Sequence, residues 1–365
     1  MVQESDFLAG EFEGAEPPHS ENTPVHFDWL EPLALLTGPV AFAAMRDGLA
    51  LPLQGGNFAF CLVREPAGTI LPPPVDHPAL ERLTRPLQPF AGITRHRARP
   101  LVMGIVNCTP DSFSGDGIAA SHAAAIAQGH AMLEAGADLL DIGGESTRPD
   151  AAPVTVEEEQ ARIIPVIRAL ATSAPVSVDT RHARTMAAAL EAGAEIINDV
   201  SALRHDGEAL RVVSQARCPV ILMHARTTDP RTMQQDIQYE DAALEVACFL
   251  EGRVATLEAL GIPRGRICID PGIGFGKRIE DNLALIARLP LLANLGCTIL
   301  AGASRKGFIG RITGVVAAGD RLAGSLSAAL AAAAAGAHIL RVHDVAETVQ
   351  ALKLFEALGA GYEEP

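Results

Sequence analysis

The chain has 365 residues, of which 48% are apolar and 20% charged, so it can bury a large core and a wholly disordered protein is excluded. Its formal net charge of -15 argues against nucleic acid or an anionic membrane as the main partner, because both bind basic surfaces. We therefore expect a small molecule as the partner.

The N-terminal quarter differs in composition from the rest of the chain. Eight acidic residues and no Lys or Arg lie in residues 1–31, and we predict an acidic, disordered tail over residues 1–30. Residues 31–95 predict a small appendage with a β-hairpin at 49–63 that turns at Gly55 and Gly56. The proline-rich stretch from Pro72 to Pro89 predicts a stiff linker to a third unit, residues 96–365.

Three similar segments, at 134–140, 191–197 and 334–340, each predict the joint between a helix and a buried strand. Gly136, Gly193 and Gly336 stand where a helix would end in the left-handed conformation. Eight short apolar runs follow this pattern, at 101–107, 138–144, 175–180, 195–200, 219–224, 267–272, 298–304 and 338–344. Eight strand–helix units over about 260 residues predict an α/β fold, a closed (β/α)₈ TIM barrel. An open doubly wound sheet is the alternative, but no Gly-x-Gly-x-x-Gly follows the first strand.

Polar residues stand at the C-terminal ends of these runs, where barrel enzymes place their chemistry. The structural alternative is that they cap the following helices, which needs only Ser, Thr, Asp or Asn. The cysteines are scattered, without a Cys-x-x-Cys pair or a metal-site spacing, which favours a reduced, cytoplasmic protein. The sequence shows neither a signal-peptide pattern nor an apolar stretch of about 18 residues, so we expect no membrane anchor.

Eight short motifs occur in order along the chain. They are Met-Gly-Ile-Val-Asn-Cys-Thr-Pro-Asp-Ser-Phe-Ser at 103–114, Asp-Ile-Gly-Gly-Glu-Ser-Thr-Arg-Pro at 141–149, Val-Asp-Thr at 178–180, Ile-Asn-Asp-Val at 197–200, Leu-Met-His at 222–224, Asp-Pro-Gly-Ile-Gly-Phe-Gly-Lys at 270–277, Gly-Ala-Ser-Arg-Lys at 302–306 and Arg-Val-His-Asp at 341–344. Together they resemble the signatures of the dihydropteroate synthase family over residues 99–358. The resemblance implies condensation of a pterin pyrophosphate with p-aminobenzoate.

A pterin presents a flat edge of N–H donors, which an acceptor-only carboxylate in a dry pocket satisfies. Asp179 and Asp270 suit this task, with Asn198 as a donor and acceptor, although any one of these residues could instead cap a helix. The resemblance implies catalytic roles for Lys306, Arg341, His343 and Arg148. It implies substrate contacts for Thr147, Pro149, Asp179, Asn198, Val200, Met223, Asp270, Phe275, Gly302, Ser304, Lys306, Arg341 and His343.

Arg341 and His343 are two residues apart on one strand and so share a face, where they could hold a pyrophosphate. The alternative is that Arg341 pairs at the surface with Asp344 or Glu347. Strand eight of a closed barrel lies beside strand one, which brings Asn107 close to this pair. The resemblance implies Mg²⁺ between Asn107 and the pyrophosphate, with hard oxygen ligands.

The chain departs from the family pattern in two loops. It has Ser-Gly-Asp-Gly at 114–117 where the family usually has Ser-Asp-Gly-Gly, and the segment after His224 is one residue longer. Loops 111–117 and 146–152 are expected to close over the substrates. A pterin-dependent methyltransferase and a non-catalytic pterin-binding paralogue are the alternative functions, and the family resemblance implies a homodimer.

Overall fold

The computed structural model describes residues 28–56, 58–93, 99–109, 118–146, 154–227 and 237–360. Within these residues the chain forms a closed eight-stranded barrel and a small sheet of four strands. The tail predicted over residues 1–30 lies almost wholly outside the described residues.

The barrel strands are parallel and follow one another around the ring in chain order. They are β5 (Leu101–Asn107), β6 (Leu139–Gly143), β7 (Val176–Asp179), β8 (Ile196–Asp199), β9 (Val220–Met223), β10 (Ile267–Asp270), β11 (Thr298–Ala301) and β12 (Ile339–Val342). The ring closes where β12 pairs with β5, with Arg341 in register with Met103. The predicted (β/α)₈ barrel is therefore confirmed.

Helices surround the barrel on its outer side. They are α3 (Ile118–Glu134), α4 (Val156–Leu170), α5 (Ala183–Glu191), α6 (Ala209–Ala216), α7 (Ala242–Ala259), α8 (Ile279–Ala287), α9 (Gly307–Thr313), α10 (Leu322–Ala334) and α11 (Val345–Ala360). Their apolar faces and the outward strand residues form one large core. The glycines of the three similar segments have φ of 101°, 108° and 89°, as predicted for left-handed helix ends.

Alternate residues of each barrel strand point inward. The lower interior is filled by apolar side chains that include Met103, Leu139 and Leu300, and Phe90 packs into them from the segment that precedes the barrel. The next inward positions on β6 and β7 are Asp141 and Ser177, which are both fully buried. The barrel interior thus changes from apolar to polar toward the C-terminal ends of its strands.

The small sheet comprises β1 (Glu31–Thr37), β2 (Leu51–Pro52), β3 (Phe58–Arg64) and β4 (Ile70–Leu71). Each of the other three strands pairs with β3 in antiparallel orientation. The β2–β3 hairpin matches the sequence prediction, whereas β1 and the following α1 (Gly38–Arg46) were not predicted. The proline-rich stretch contains α2 (Ala79–Thr84), which begins directly after Pro78. Proline is compatible with a helix start, so this composition did not exclude a helix.

The sheet is attached to the barrel through the 3-10 segment Leu289–Leu295. Asn294 accepts a hydrogen bond from the Leu30 backbone N–H at 3.3 Å and donates to the Leu30 carbonyl at 2.8 Å. The Gln54 amide donates to the Ala293 carbonyl. The nearly buried Glu31 carboxylate accepts from Arg64 of β3 and from Arg288 at the end of α8. These contacts join the appendage to one side of the barrel.

The helices among the described residues were compared with the length and apolarity that a bilayer requires. None of them is long and apolar enough to cross a membrane.

Candidate active site

Arg341 lies at the centre of the polar layer of the barrel. Its Nε donates to Asp141 Oδ2 at 2.6 Å, and a terminal guanidinium nitrogen donates to Asp179 Oδ2 at 2.7 Å. Asn198 Nδ2 donates to the same Asp141 oxygen at 3.0 Å. The alternative of a surface pairing of Arg341 with Asp344 or Glu347 is not found, because Asp344 pairs with Arg305 and Arg341 bonds inside the barrel.

The surroundings of Asp179 in this layer raise its proton affinity. Burial raises the pKa of Asp179 to about 7, Arg341 opposes the rise, and the neighbouring carboxylate of Asp141 adds to it. Arg341 is itself held charged, because Asp141 and Asp179 raise its pKa against the effect of burial. The cation therefore partly neutralises two acidic groups that would otherwise repel each other.

Asp270 ends β10 and begins a tight loop. Its Oδ1 accepts from the Gly272 backbone N–H at 2.7 Å, and its backbone carbonyl accepts from the His224 N–H. Burial raises the pKa of the Asp270 carboxyl, while the Gly272 hydrogen bond and the charge of Lys306 lower it. Gly272 has φ +66°, and a Cβ there would lie 2.0 Å from the His224 carbonyl oxygen. Only glycine fits this close approach.

Lys306 stands at the N-terminus of α9 with its ammonium 3.8 Å from the centre of the Phe275 ring. Burial lowers the pKa of Lys306 to about 8, Arg341 lowers it further, and Asp270 and Asp179 oppose the shift. The side chain also passes Gly274, where a Cβ would lie 2.9 Å from Lys306 Cδ. The ammonium thus lies among the carboxylates of the mouth, with an aromatic wall on one side.

His343 and Ser304 form a hydrogen-bonded pair at the ends of β12 and β11. The Ser304 hydroxyl lies 3.0 Å from His343 Nδ1 and accepts from the His343 backbone N–H at 3.2 Å. Burial lowers the pKa of His343 to about 4, and the nearby Arg341 and Arg305 charges lower it further. The ring is therefore neutral near pH 7, and its Nε2 can act as a donor while Nδ1 accepts.

Three further predicted contacts line the same mouth. Met223, Val200 and Phe275 belong to one small apolar cluster at the ends of β8, β9 and β10. A Cβ at Gly302 would lie 3.8 Å from both Asp270 Oδ2 and Arg341 Cβ, which places that glycine on the floor between them. These residues supply a flat, apolar border to the polar groups.

Asn107 ends β5, which is the barrel strand that neighbours β12. Among the described residues no cluster of three or more His, Cys, Asp and Glu side chains could hold a metal ion. Asn107 offers one amide oxygen at this strand end. Hard oxygen donors of this kind, which leave several water positions, fit Mg²⁺.

The structure brings most of the predicted site residues to one mouth, and the others cannot be placed. Thr147, Arg148 and Pro149, together with Asp116, lie outside the described residues. Asp141 was quoted in a motif but was not predicted as a site residue. The sequence did offer a signal: Asp141 is two residues after the inward-facing Leu139, and residues two apart on a strand share a face.

A buried Lys277 is a second group that the sequence prediction missed. Its ammonium lies 3.0 Å from His224 Nδ1 and donates to the Phe275 carbonyl at 3.0 Å. Burial lowers the pKa of Lys277 to about 7, and it also lowers the pKa of His224. The pair ties the end of β9 to the loop that carries Asp270 and Phe275.

Comparison with known proteins adds independent information on this geometry. The family model described as pterin binding enzyme matches residues 103–343. The dihydropteroate synthase of Neisseria meningitidis serogroup B is 48% identical over 267 residues, which cover 72% of this chain and 93% of that protein. The chain belongs to the dihydropteroate synthase family of pterin-binding enzymes. The resemblance found in the sequence motifs is thereby confirmed.

Solved structures of the dihydropteroate synthase family agree with the barrel. The Xanthomonas albilineans dihydropteroate synthase with 4-aminobenzoic acid superposes with a TM-score of 0.69 at 50% identity, covering 74% of this chain and 97% of that one. A structure of the same organism's enzyme in complex with 7,8-dihydropteroate gives a TM-score of 0.65 at 48% identity, covering 72% and 95%. About a quarter of this chain lies outside each of these matches.

Proposed function

We propose that this chain condenses 6-hydroxymethyl-7,8-dihydropterin pyrophosphate with p-aminobenzoate to give 7,8-dihydropteroate and pyrophosphate, a step of folate biosynthesis. The observation that carries the proposal is the meeting of Asp179, Asn198, Asp270, Lys306 and Arg341 at one barrel mouth. Family membership at 48% identity supports the same reaction.

The pterin ring would lie between the polar floor and the apolar border of the mouth. Asp179 and Asp270 would accept from its N–H edge, and the Asn198 carbonyl would accept a further ring N–H. Lys306 would donate to a ring oxygen or nitrogen. Carboxylates suit this task because they offer only acceptors, and a dry pocket makes an unpaired donor costly.

The reaction breaks the C–O bond between the pterin methylene and the pyrophosphate and forms a C–N bond to the aromatic amine, which then loses a proton. Arg341 and His343 would donate to the pyrophosphate oxygens as the negative charge develops. Mg²⁺ bound by Asn107 and the pyrophosphate would supply further charge stabilisation to the leaving group. The chain's own groups bind and orient, and no covalent enzyme intermediate is required.

The p-aminobenzoate would lie beside Phe275, Ser304 and Lys306, and Pro149 would help to shape its site. Thr147 and Arg148 would contact the substrates from loop 146–152, and this loop and loop 111–117 would close to exclude water. Excluding water matters, because water would otherwise capture the electrophilic methylene and hydrolyse the substrate.

The direct test incubates purified protein with MgCl₂, the pterin pyrophosphate and p-aminobenzoate. Formation of 7,8-dihydropteroate with an equal amount of pyrophosphate is the expected result, and Lys306→Ala should abolish turnover while the circular dichroism spectrum is retained. Tight pterin binding without turnover would instead favour a non-catalytic binding protein. Methyl transfer from a methylated tetrahydropterin would favour a methyltransferase.

We also propose that the chain acts in the cytoplasm as a homodimer. An apolar groove of about 640 Å³ lies on the outer wall, bordered by β1, α8, α9 and α10. Ile312 on α9 and Leu283 on α8 are 54% and 47% exposed at this face, although large apolar side chains gain free energy from burial. Sedimentation equilibrium tests the proposal, which a monomer at micromolar concentration would contradict.

A further inference from the structure

Two of the five N–H donors of Arg341 are engaged by carboxylates of the polar layer. Nε donates to Asp141 Oδ2 at 2.6 Å, and the terminal nitrogen Nη2 donates to Asp179 Oδ2 at 2.7 Å. Two such charge-assisted bonds lower the positive potential that the guanidinium offers to a third anion. The anion site and the pterin site therefore share one cation.

The two carboxylates differ in what can reach them. Asp141 is fully buried, and its Oδ2 also accepts from Asn198. Asp179 is on the neighbouring strand β7, one inward-facing position closer to the mouth than Asp141. Its side chain is 16% exposed there. A ligand that enters the mouth can therefore compete for Asp179 but not for Asp141.

We propose, resting on the proposed function, that Asp141 is a positioning residue that retains Arg341 when the pterin takes Asp179. The N–H edge of the pterin replaces Nη2 of Arg341 as the donor to Asp179. Arg341 keeps its bond from Nε to Asp141, so the released Nη2 stays in the mouth and becomes available to the pyrophosphate. Recognition of the ring thereby prepares the site for the leaving group.

Asp141 has a second effect on the pterin pocket. It accepts from the nitrogen of the Asn198 amide, which leaves the Asn198 carbonyl oxygen for the ligand. One buried carboxylate thus orients the amide that recognises the ring and the cation that recognises the pyrophosphate. Loss of the Asp141 charge should disturb both together.

The coupling can be measured by calorimetry of the full chain with inorganic pyrophosphate at constant MgCl₂. The titration is made with and without saturating 6-hydroxymethylpterin, which lacks the pyrophosphate. In the wild type, the pterin should raise pyrophosphate affinity about fivefold or more, and linkage requires the reciprocal effect. Asp141→Asn should bring this ratio close to one and raise KM for the pterin substrate, with KM for p-aminobenzoate little changed.

Ser177→Ala is the matched control. Ser177 lies on β7 in register with Asp141 of β6, and its buried hydroxyl has no hydrogen-bond partner among the described residues. This variant should keep the wild-type coupling ratio. A ratio of one in the wild type would overturn the proposal even if Asp141→Asn did not fold. An unchanged ratio in folded Asp141→Asn would overturn it as well. Absence of dihydropteroate formation by the wild type would separately overturn the proposed reaction.

Discussion

The Lys306 ammonium lies 3.8 Å from the centre of the Phe275 ring, so the two side chains form one wall of the barrel mouth. The ring restrains a flexible lysine while leaving its N–H donors toward the carboxylates Asp270 and Asp179, which oppose the loss of its proton. A lysine held in this way is presented to substrate with less conformational freedom than one in solvent.

Replacing Phe275 by Leu should therefore weaken catalysis through Lys306. A cation–π contact contributes about 0.5–2 kcal/mol, so kcat/KM should fall roughly 2- to 30-fold. Phe275→Tyr keeps the aromatic face and is the control. Steady-state assays of dihydropteroate formation test this, and equal losses in both variants would show that the ring face is not what Lys306 needs.

The rate should depend on pH with two limbs. Asp179, with its pKa raised to about 7, must be ionised to accept from the pterin, so kcat/KM should fall as the pH drops below about 7. Lys306, with its pKa lowered to about 8, must be protonated to donate, so kcat/KM should fall as the pH rises above about 8. In Lys306→Arg, whose guanidinium does not titrate in this range, the alkaline limb should disappear. An alkaline limb that persists unchanged would assign it to another group.

Gly272→Ala should disrupt the loop that carries Asp270. The added Cβ would lie 2.0 Å from the His224 carbonyl oxygen at a φ that disfavours L-residues, so the loop must move. We expect at least a tenfold loss of pterin affinity, measured by calorimetry. Gly207→Ala, where an added Cβ meets no atom within 4 Å, is the control and should bind normally. Normal binding by Gly272→Ala would contradict the loop geometry.

Glu31→Gln should loosen the appendage. The Glu31 side chain is 4% exposed and pairs with Arg288 and Arg64, which are 25% and 36% exposed. After allowance for this exposure of the partners, the free energy of unfolding should fall by about 1–3 kcal/mol. Urea denaturation measures the change, and Asp47→Asn, which removes an ion pair of two exposed side chains, is the control. An unchanged midpoint in Glu31→Gln would mean that the pair contributes nothing to docking.

Much of the barrel could be predicted because its strands are covered on both sides. Each apolar run contains an observed strand, and the run 101–107 coincides with β5 at both ends. The other runs extend past their strands, because the polar residues that end them, such as His224 and Ser304, follow the last paired residue, and Ser304 lies in a turn. The strand β1 escaped prediction because its pattern, Glu-Pro-Leu-Ala-Leu-Leu-Thr, lacks the alternation of a half-buried strand.

The composition of the mouth was predictable, but its pairing was not. Strand ends with Asp, Asn, Lys and Arg indicated a polar rim, and the family motifs gave these residues roles. The ion pair of Arg341 with Asp141 joins residues 200 positions apart, and only the closed ring brings them together. Likewise, nothing in the local sequence of Lys277 distinguishes a buried lysine from an exposed one.

The amide of Asn294 binds the Leu30 backbone as one strand residue binds its neighbour, with one donor and one acceptor. At this point the barrel wall binds the main chain of the preceding segment rather than its side chains. Other apolar residues can therefore replace Leu30, whereas replacing Asn294 would leave the Leu30 backbone N–H and carbonyl without these hydrogen bonds. Among chains that share this appendage, asparagine at position 294 should accompany its presence, and shorter homologues that begin at the barrel should be free to lose it.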